Sequence, residues 1–310
     1  MWVKIRNIEN YYDMNNLFDN PPLLILGMHR SGTTLLVEIL MKLGYFSGAN
    51  LEENLESEFI LKLNEWILRR SGGAWDNPLP IKSLIKSNYL RDEVINILNN
   101  EIHSERFSEY YKYNSKIKIN AKNPPIFWGW KDPRNIFTLN LWLEIFPQLK
   151  ILIIRRNGID VANSLHQRQL NYLKNDTRGP FIIKPLKKRI KDSINQFERF
   201  NMQSCRCTTM EGCFNLWEEY QFEADDIYDQ FSGQKLYISY ENLLLKTENV
   251  IEQIKNLLCR NIVNTELQNI QNLVNSQRAF AFIQRNNLHS FYNEVKETNL
   301  MKKYGYDDLL

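Results

Sequence analysis

Residues 23–36 read Leu-Leu-Ile-Leu-Gly-Met-His-Arg-Ser-Gly-Thr-Thr-Leu-Leu. The four apolar residues that open the stretch have the length and bulk of a buried strand. Gly27 and Gly32 bracket a tight turn, and Leu35 to Met41 then recurs with helical spacing. A strand, a glycine-bracketed turn and a helix in this order aim several backbone N–H groups at one spot, where the positive end of the helix dipole adds to them. The unit is predicted to hold a phosphate or a similar anion. It also decides the fold. Further apolar runs begin near Trp128, Ile151 and Leu236, with helical patterns between them. That alternation argues for an α/β fold in three layers, a mostly parallel central sheet flanked by helices.

The turn is nearly the nucleotide-binding pattern G-x-x-x-x-G-K-[ST], but Thr33 stands at the lysine position and the cation reappears as Arg30. A second site lies in Lys150 to Leu165. Ile151 to Ile154 reads as another buried strand, the Asn157-Gly158 turn follows, and a helix begins around Asp160. Arg156 sits at the strand end and Ser164 about two turns along the helix. A guanidinium and a hydroxyl so placed could grip one phosphate from two sides. A third block is Trp128-Gly-Trp-Lys-Asp-Pro-Arg134. Pro133 cannot donate to a ladder and should end the strand, leaving Lys131 at a strand tip where ligands of parallel sheets gather. The plainer alternative is a salt-bridged Lys131–Asp132 surface turn.

Gly27 to Thr34 resembles the 5′-phosphosulfate loop, in its arginine version, of sulfotransferases that use 3′-phosphoadenosine 5′-phosphosulfate (PAPS). Arg156 and Ser164 resemble the family's 3′-phosphate motif, and Arg168 matches a further arginine of the tyrosyl-protein and bacterial branches. Lys131-Asp-Pro133 is similar to the segment whose lysine faces the transferring sulfuryl group. Tyr240-Glu-Asn-Leu243 is similar to a Tyr-Glu-Asp-Leu element that would put Tyr240 near the nucleotide. The resemblance implies a P-loop NTPase-like fold, PAPS as co-substrate, no metal, and an acceptor hydroxyl, a saccharide first with lipid or peptide as alternatives. The loop amides of Ser31 and Gly32, with Thr33 and Thr34, would then hold the 5′-phosphate. Arg156, Ser164, Arg168 and Tyr240 would hold the nucleotide end. Arg30 and Lys131 would neutralise charge on the leaving phosphate and the sulfuryl oxygens.

The acceptor hydroxyl needs a general base. The histidine that cytosolic members carry after their lysine is absent, since Lys131 is followed by Asp132 and Pro133. Other branches use a glutamate, in a pattern Asn-x-x-Gly-Tyr-x-Glu followed by Leu-Asn and a Trp. Here Asn54 to Asn64 and Trp75 stand in that region without the Gly-Tyr pair, and register from Asn64 selects Glu56. Glu53, Glu58 and His29 remain alternatives. Two other functions share parts of the pattern. A P-loop nucleotide kinase would want a lysine where Thr33 stands, and a non-catalytic binder of PAPS or its product PAP would need no base.

The matched elements run from Leu23 to Leu243 without a Gly/Ser or Pro-rich linker, so the 310 residues are expected to form a single domain. Residues 1–20 read as an N-terminal arm and 245–310 as a helical C-terminal part, with helices expected over Asn249–Leu258 and Glu266–Val274. A net charge of +3 does not imply a nucleic-acid surface. The basic run Lys184 to Lys191 reads as the solvated face of a helix, or as a guide for an anionic ligand. No signal peptide or transmembrane run is legible, and a cytoplasmic location is expected. Of the four cysteines, Cys205, Cys207 and Cys213 lie close in sequence but lack a nearby histidine, so reduced thiols are expected rather than zinc.

Overall fold

The computed structural model describes residues 20–107, 110, 127–175, 204–259 and 264–310. The N-terminal arm before residue 20 and the basic run 184–191 lie outside the described residues. The elements follow in chain order as β1 (Leu23–Leu26), α1 (Thr33–Lys42), α2 (Glu58–Arg70), α3 (Ile81–Lys86), α4 (Asn88–Ile102), β2 (Gly129–Lys131), α5 (Asn135–Leu143), β3 (Lys150–Arg155) and α6 (Gly158–Asn175). Beyond these come α7 (Met210–Gln230), β4 (Lys235–Ser239), α8 (Tyr240–Leu245), α9 (Thr247–Leu258), α10 (Asn264–Gln271), α11 (His289–Val295) and α12 (Asn299–Lys303).

The four strands form one parallel sheet in the order β2-β1-β3-β4. Side chains alternate between the faces of a strand, and both faces here are covered. Leu24 and Leu26 of β1 join Ile151 and Ile153 of β3 in a core that includes Trp130, Trp142 and Trp217. Leu23 and Ile25 join Leu152 and Ile154 on the other face, against Leu36, Leu40, Leu243 and Ile254. Strands buried on both faces read as unbroken apolar runs, which is why Leu23–Leu26 and Ile151–Ile154 stood out. The architecture is the three-layer α/β arrangement that the alternation predicts.

Two boundaries differ from expectation. β2 stops at Lys131, two residues before Pro133, because Asp132 turns to bond the Arg134 backbone N–H. The helix expected over Glu266–Val274 ends at Gln271, where Leu273 and Val274 close three-residue turns onto Ile270 and Gln271. The C-terminal part is helical but broken, with 3₁₀ turns at Ser276–Arg278, Ala281–Gln284 and Asn286–Leu288. It is not peripheral: Phe282, Tyr292, Leu300 and Met301 are buried in the same core as Leu24 and Ile153.

Candidate active site

β1 delivers the chain into the loop 27–32 at the middle of the sheet. Ser31 folds the loop on itself, its N–H donating to the Met28 carbonyl at 3.1 Å and its hydroxyl to the same oxygen at 2.6 Å. The Ser31 side chain is therefore buried at the base of the loop and does not line the cavity above it. Arg30 has φ +71° and Gly32 φ +95°. Residue 32 has to be glycine for a second reason, since a Cβ there would lie 2.2 Å from the Tyr240 ring, which roofs the loop. Tyr240 is fixed by its own helix start: the Ser239 hydroxyl caps α8 by accepting from Asn242 N at 3.1 Å. Helix α1 begins at Thr33 with no side-chain cap. Its first backbone N–H groups thus have no partner within the helix and point toward the cavity lined by Thr33 and Thr34. The Thr34 hydroxyl donates to Asn54 O at 3.2 Å and ties α1 to the segment before α2.

The cavity, of about 300 Å³, is lined by the cations Arg30, Lys131, Arg156, Arg168 and Arg278 against the carboxylates Glu38 and Glu56. Arg30 Nε donates to Ser164 Oγ at 2.8 Å. Arg156 lies with its guanidinium 4.6 Å from the Tyr240 ring centre, pairs with Asp160 at 3.1 Å, and reaches the Arg278 carbonyl at 3.3 Å. Its Nε is buried and has no hydrogen-bond partner among the described residues. Burial, and then the charges of Arg156 and Arg278, push the Arg30 pKa down. Like charges held this close favour an anion among them. The head of α6, the helix that carries Ser164 and Arg168, is held by side-chain bonds on both sides. Asn157 Oδ1 caps it through Asp160 N at 2.9 Å, and Glu241 accepts from Asn157 N at 2.9 Å and Nδ2 at 3.0 Å.

On the opposite wall Lys131, 1% exposed, donates from Nζ to Glu56 Oε1 at 2.8 Å. The turn after β2 is held from α2. Asn64 donates to Asp132 Oδ2 at 2.9 Å and Asn135 Oδ1 at 2.8 Å, while its own Oδ1 accepts from Thr138 at 3.0 Å and Trp142 Nε1 at 2.9 Å. Asp132 pairs with Arg134 at 3.0 Å, and Arg134 also bonds Glu65 at 3.1 Å. Burial works against the Arg134 charge, yet Asp132, Glu56 and Glu65 outweigh it and raise its pKa. The Lys131–Asp132 surface turn is thereby excluded. Both residues are buried, and each has a different partner.

Of the three glutamates that the sequence left open, only Glu56 lines this cavity. Glu53 is exposed, and Glu58 pairs with Lys62 at 2.5 Å outside it. His29 also lines the wall, its ring edge-on to Trp75 at 5.0 Å and its Nε2 buried without a partner. Burial first, then Arg134, Arg168, Lys131 and Arg30, hold its pKa well below the usual range, so the imidazole is neutral at physiological pH. Sequence reasoning missed Arg134 and Arg278. The first stands within a quoted block and could have been weighed. The second lies 122 residues beyond Arg156 in a 3₁₀ turn with no motif around it.

The loop between β1 and α1, ringed by arginines and opposed by a Lys–Glu pair, forms one strongly cationic cavity at the C-terminal edge of a parallel sheet. The family model described as the sulfotransferase family matches residues 21–259, and the chain belongs to that family. Among solved structures it is similar to a sulfotransferase domain from the curacin biosynthetic pathway, with 15% identity over 84% of this chain and 80% of that one and a TM-score of 0.44. A mouse sulfotransferase complexed with PAP is 14% identical over 86% of this chain and 66% of that one, with a TM-score of 0.39. A sulfotransferase from Alicyclobacillus acidocaldarius is 14% identical over 86% of this chain and 97% of that one, with a TM-score of 0.42. No protein with a curated description matches the chain by sequence. Among the described residues no group of three or more His, Cys, Asp or Glu is placed to hold a metal, and no helix is long and apolar enough to cross a membrane.

Proposed function

We propose that the protein moves the sulfuryl group of PAPS to an acceptor hydroxyl, a saccharide hydroxyl foremost, with Glu56 as the general base. The observation that carries this reading is the convergence of Arg30, Lys131, Arg156 and Glu56 on one cavity at the N-terminus of α1. The residues suit such a donor. Among the described residues five cations face two carboxylates, and the buried Arg156 Nε lacks a partner. Membership of the sulfotransferase family supports the same choice.

Bound PAPS supplies an activated sulfuryl group, whose bond to the 5′-phosphate oxygen breaks as the bond to the acceptor oxygen forms. The residues around it position, stabilise charge and take a proton. The first amides of α1 with Thr33 and Thr34 hold the 5′-phosphate. Arg156 and Ser164 hold the 3′-phosphate, and Tyr240 packs beside them. Arg30 and Lys131 offset the negative charge that builds on the leaving phosphate and the sulfuryl oxygens. Glu56 takes the proton of the acceptor hydroxyl. Once protonated, it releases its ion pair with Lys131, whose full charge then becomes available to the transferring group. Base action and charge stabilisation are coupled through that one 2.8 Å contact.

Calorimetry with PAP and with adenosine 5′-phosphate tests the donor site. A charge-assisted contact to the 3′-phosphate is worth roughly 1.5–3 kcal/mol, so PAP should bind at least tenfold more tightly, and equal affinities would remove the 3′-phosphate assignment. Transfer from labelled PAPS to a panel of saccharides, lipids and peptides in magnesium-free buffer tests the chemistry. Absence of transfer to every member would leave a binding protein rather than an enzyme.

A further inference from the structure

Cys207 and Cys213 take no part in the chemistry described above, yet the structure holds their thiols together. Cys207 sits in a 3₁₀ turn, Arg206–Thr208, and Cys213 near the start of α7. Cys213 Sγ lies 3.5 Å from Cys207 O, and the two thiols are hydrogen-bonded to each other. Both side chains are buried, while Cys205 and Cys259 are exposed.

The turn is pinned to the helix. Gly212 lets the two backbones meet, since a Cβ there would lie 2.1 Å from Arg206 O. Arg206 Nε donates to Gly212 O at 3.2 Å, and its terminal nitrogens reach Glu219 at 3.0 and 2.6 Å. The Thr209 hydroxyl caps α7 by accepting from Gly212 N at 3.0 Å. On its other side the same segment is bonded to α6. Ser204 N donates to Gln169 Oε1 at 2.9 Å, and His166 Nδ1 donates to Cys207 O at 3.2 Å. His166 and Gln169 flank Arg168, which lines the cavity together with Ser164. A displacement of Cys207 is therefore felt by α6 where that helix meets the donor site.

A thiol reacts as its thiolate. The hydrogen bond from Cys213 holds the Cys207 pKa down to about 7 against burial, with help from Ser204 and Arg168. The same contact, together with burial, pushes Cys213 up, so it keeps its proton. One thiolate beside one protonated thiol is the pairing that disulfide formation uses.

We propose that Cys207 and Cys213 are a redox-active dithiol, which hydrogen peroxide closes to a disulfide and which then slackens α6 at the donor site. The Cys207 thiolate attacks one peroxide oxygen. The S–O bond forms as the O–O bond breaks, and the leaving hydroxide takes a proton from solvent and departs as water. Cys213 Sγ then attacks Cys207 Sγ. The S–S bond forms as the S–O bond breaks, and the second hydroxide leaves as water with the Cys213 proton. The two thiols lose two electrons in all, and the peroxide is reduced to two waters. An S–S bond of about 2.05 Å is far shorter than a hydrogen-bonded thiol contact, so closure draws Cys207 toward α7 and pulls on its bonds to α6. Loss of the thiolate charge matters less, since Arg30 and Tyr172 both act on Arg168 more strongly than Cys207 does. The dithiol stands apart from the sulfuryl-transfer reading, and only the PAP readout borrows from it.

The test uses the full chain carrying Cys205→Ser and Cys259→Ser, which leaves Cys207 and Cys213 as its thiols. The folded protein is treated with hydrogen peroxide, then denatured, alkylated and weighed by intact mass, with mapping of the linked peptides. Oxidation should remove two hydrogens and both alkylation sites, and dithiothreitol should restore them. Adding Cys213→Ala should stop the reaction at a Cys207 sulfenic acid that dimedone captures, and adding Cys207→Ala should leave Cys213 unoxidised. The two-thiol protein decides the matter even where an alanine variant fails to fold. By calorimetry, PAP affinity should weaken about 2–30-fold on oxidation and return on reduction, while the Cys207→Ala protein should not respond to peroxide. Absence of an S–S bond in the treated protein, or a disulfide that leaves PAP affinity unchanged, would overturn the proposal. A protein that binds no PAP in either state strikes the sulfuryl-transfer reading instead, and the mass result still decides the dithiol.

Discussion

A methyl group at position 32 would meet the Tyr240 ring at 2.2 Å on a backbone with φ +95°, so Gly32→Ala must move the loop or its roof. Strain of this kind costs about 1–3 kcal/mol; urea denaturation should show that loss together with weaker PAP binding, and a variant unchanged in both would mean that the roof yields freely. Arg30→Ala should depress turnover strongly while Arg30→Lys retains part of it, because lysine keeps the charge without the planar fork that Ser164 helps to orient. Wild-type turnover in Arg30→Ala would refute the loop assignment. Glu56→Gln keeps an oxygen for Lys131 but has no basic carboxylate, so kcat should fall by about 10²–10⁴-fold with PAP affinity nearly constant. Glu53→Gln and Glu58→Gln, away from the cavity, should behave as wild type, and the opposite pattern would move the base. His29 makes a pH prediction. Its folded pKa is depressed, so as pH falls below the unfolded value near 6.5 the unfolded chain takes up a proton that the folded one refuses. Stability present above that pH is lost below it, by up to about 1.4 kcal/mol per pH unit. His29→Gln should therefore show a shallower loss than wild type in denaturation at pH 7.5 and 5.5. Parallel slopes would mean that the imidazole is free to protonate in place.

At the scale of elements, α2 grips the turn after β2 mainly through Asn64, beside the Glu65–Arg134 pair and its buried apolar face. Asn64 holds Asp132, Asn135, Thr138 and Trp142 at once, and so sets Glu56, just ahead of α2, against Lys131 at the tip of β2. Asn64→Ala leaves several buried groups unpaired at about 1–3 kcal/mol each. Stability should drop by about 3 kcal/mol and turnover should fall further than stability explains, with PAP affinity less affected; full turnover in the folded variant would show that α2 is held by its apolar face alone. The same elements show what a chain makes legible. β1, its loop and α1, and β3 with the start of α6, could be read directly because the apolar run, the glycine turn and the helical spacing are contiguous. The Arg156 to Ser164 interval was visible too, but that Ser164 meets Arg30 across 134 positions, while Arg168 one turn later meets Trp75, was not. Helical spacing fixes a face, and the packing of α6 against α7 decides what that face confronts. Lys131–Asp132 looked compatible with a surface turn for the same reason. Only Glu56, 75 residues away, and Asn64, 68 residues away, reveal that the turn is buried.

At the scale of the molecule, the family match stops at residue 259, yet the chain beyond it closes the cavity and is locked to its floor. Arg278 lines the wall, Ala281 N donates to Asp160 Oδ2 at 3.1 Å, and the Tyr306 hydroxyl donates to Glu241 Oε2 at 2.9 Å. Asp160 also pairs with Arg156, and Glu241 also holds Asn157 at the head of α6. The C-terminal part thus bonds the carboxylates that hold Arg156 and the head of α6, while Phe282, Tyr292 and Met301 bury their apolar bodies in the main core. Its docking and the formation of the donor pocket should be one cooperative event. Tyr306→Phe isolates the polar link, since it removes a hydroxyl and keeps the ring. Losing a donor to a buried carboxylate costs about 1–3 kcal/mol; the urea midpoint should fall accordingly, and PAP affinity should weaken because Asn157 and α6 loosen with Glu241. Lys303→Met serves as a comparison. Its ammonium pairs with Asp225 at 2.6 Å but is 54% exposed, so it should cost under about 1 kcal/mol and leave PAP binding intact. If Tyr306→Phe matches the wild type in midpoint and in affinity, the C-terminal part is an appendage to the pocket; if it weakens both while Lys303→Met weakens neither, the pocket is completed by chain that no motif foretold.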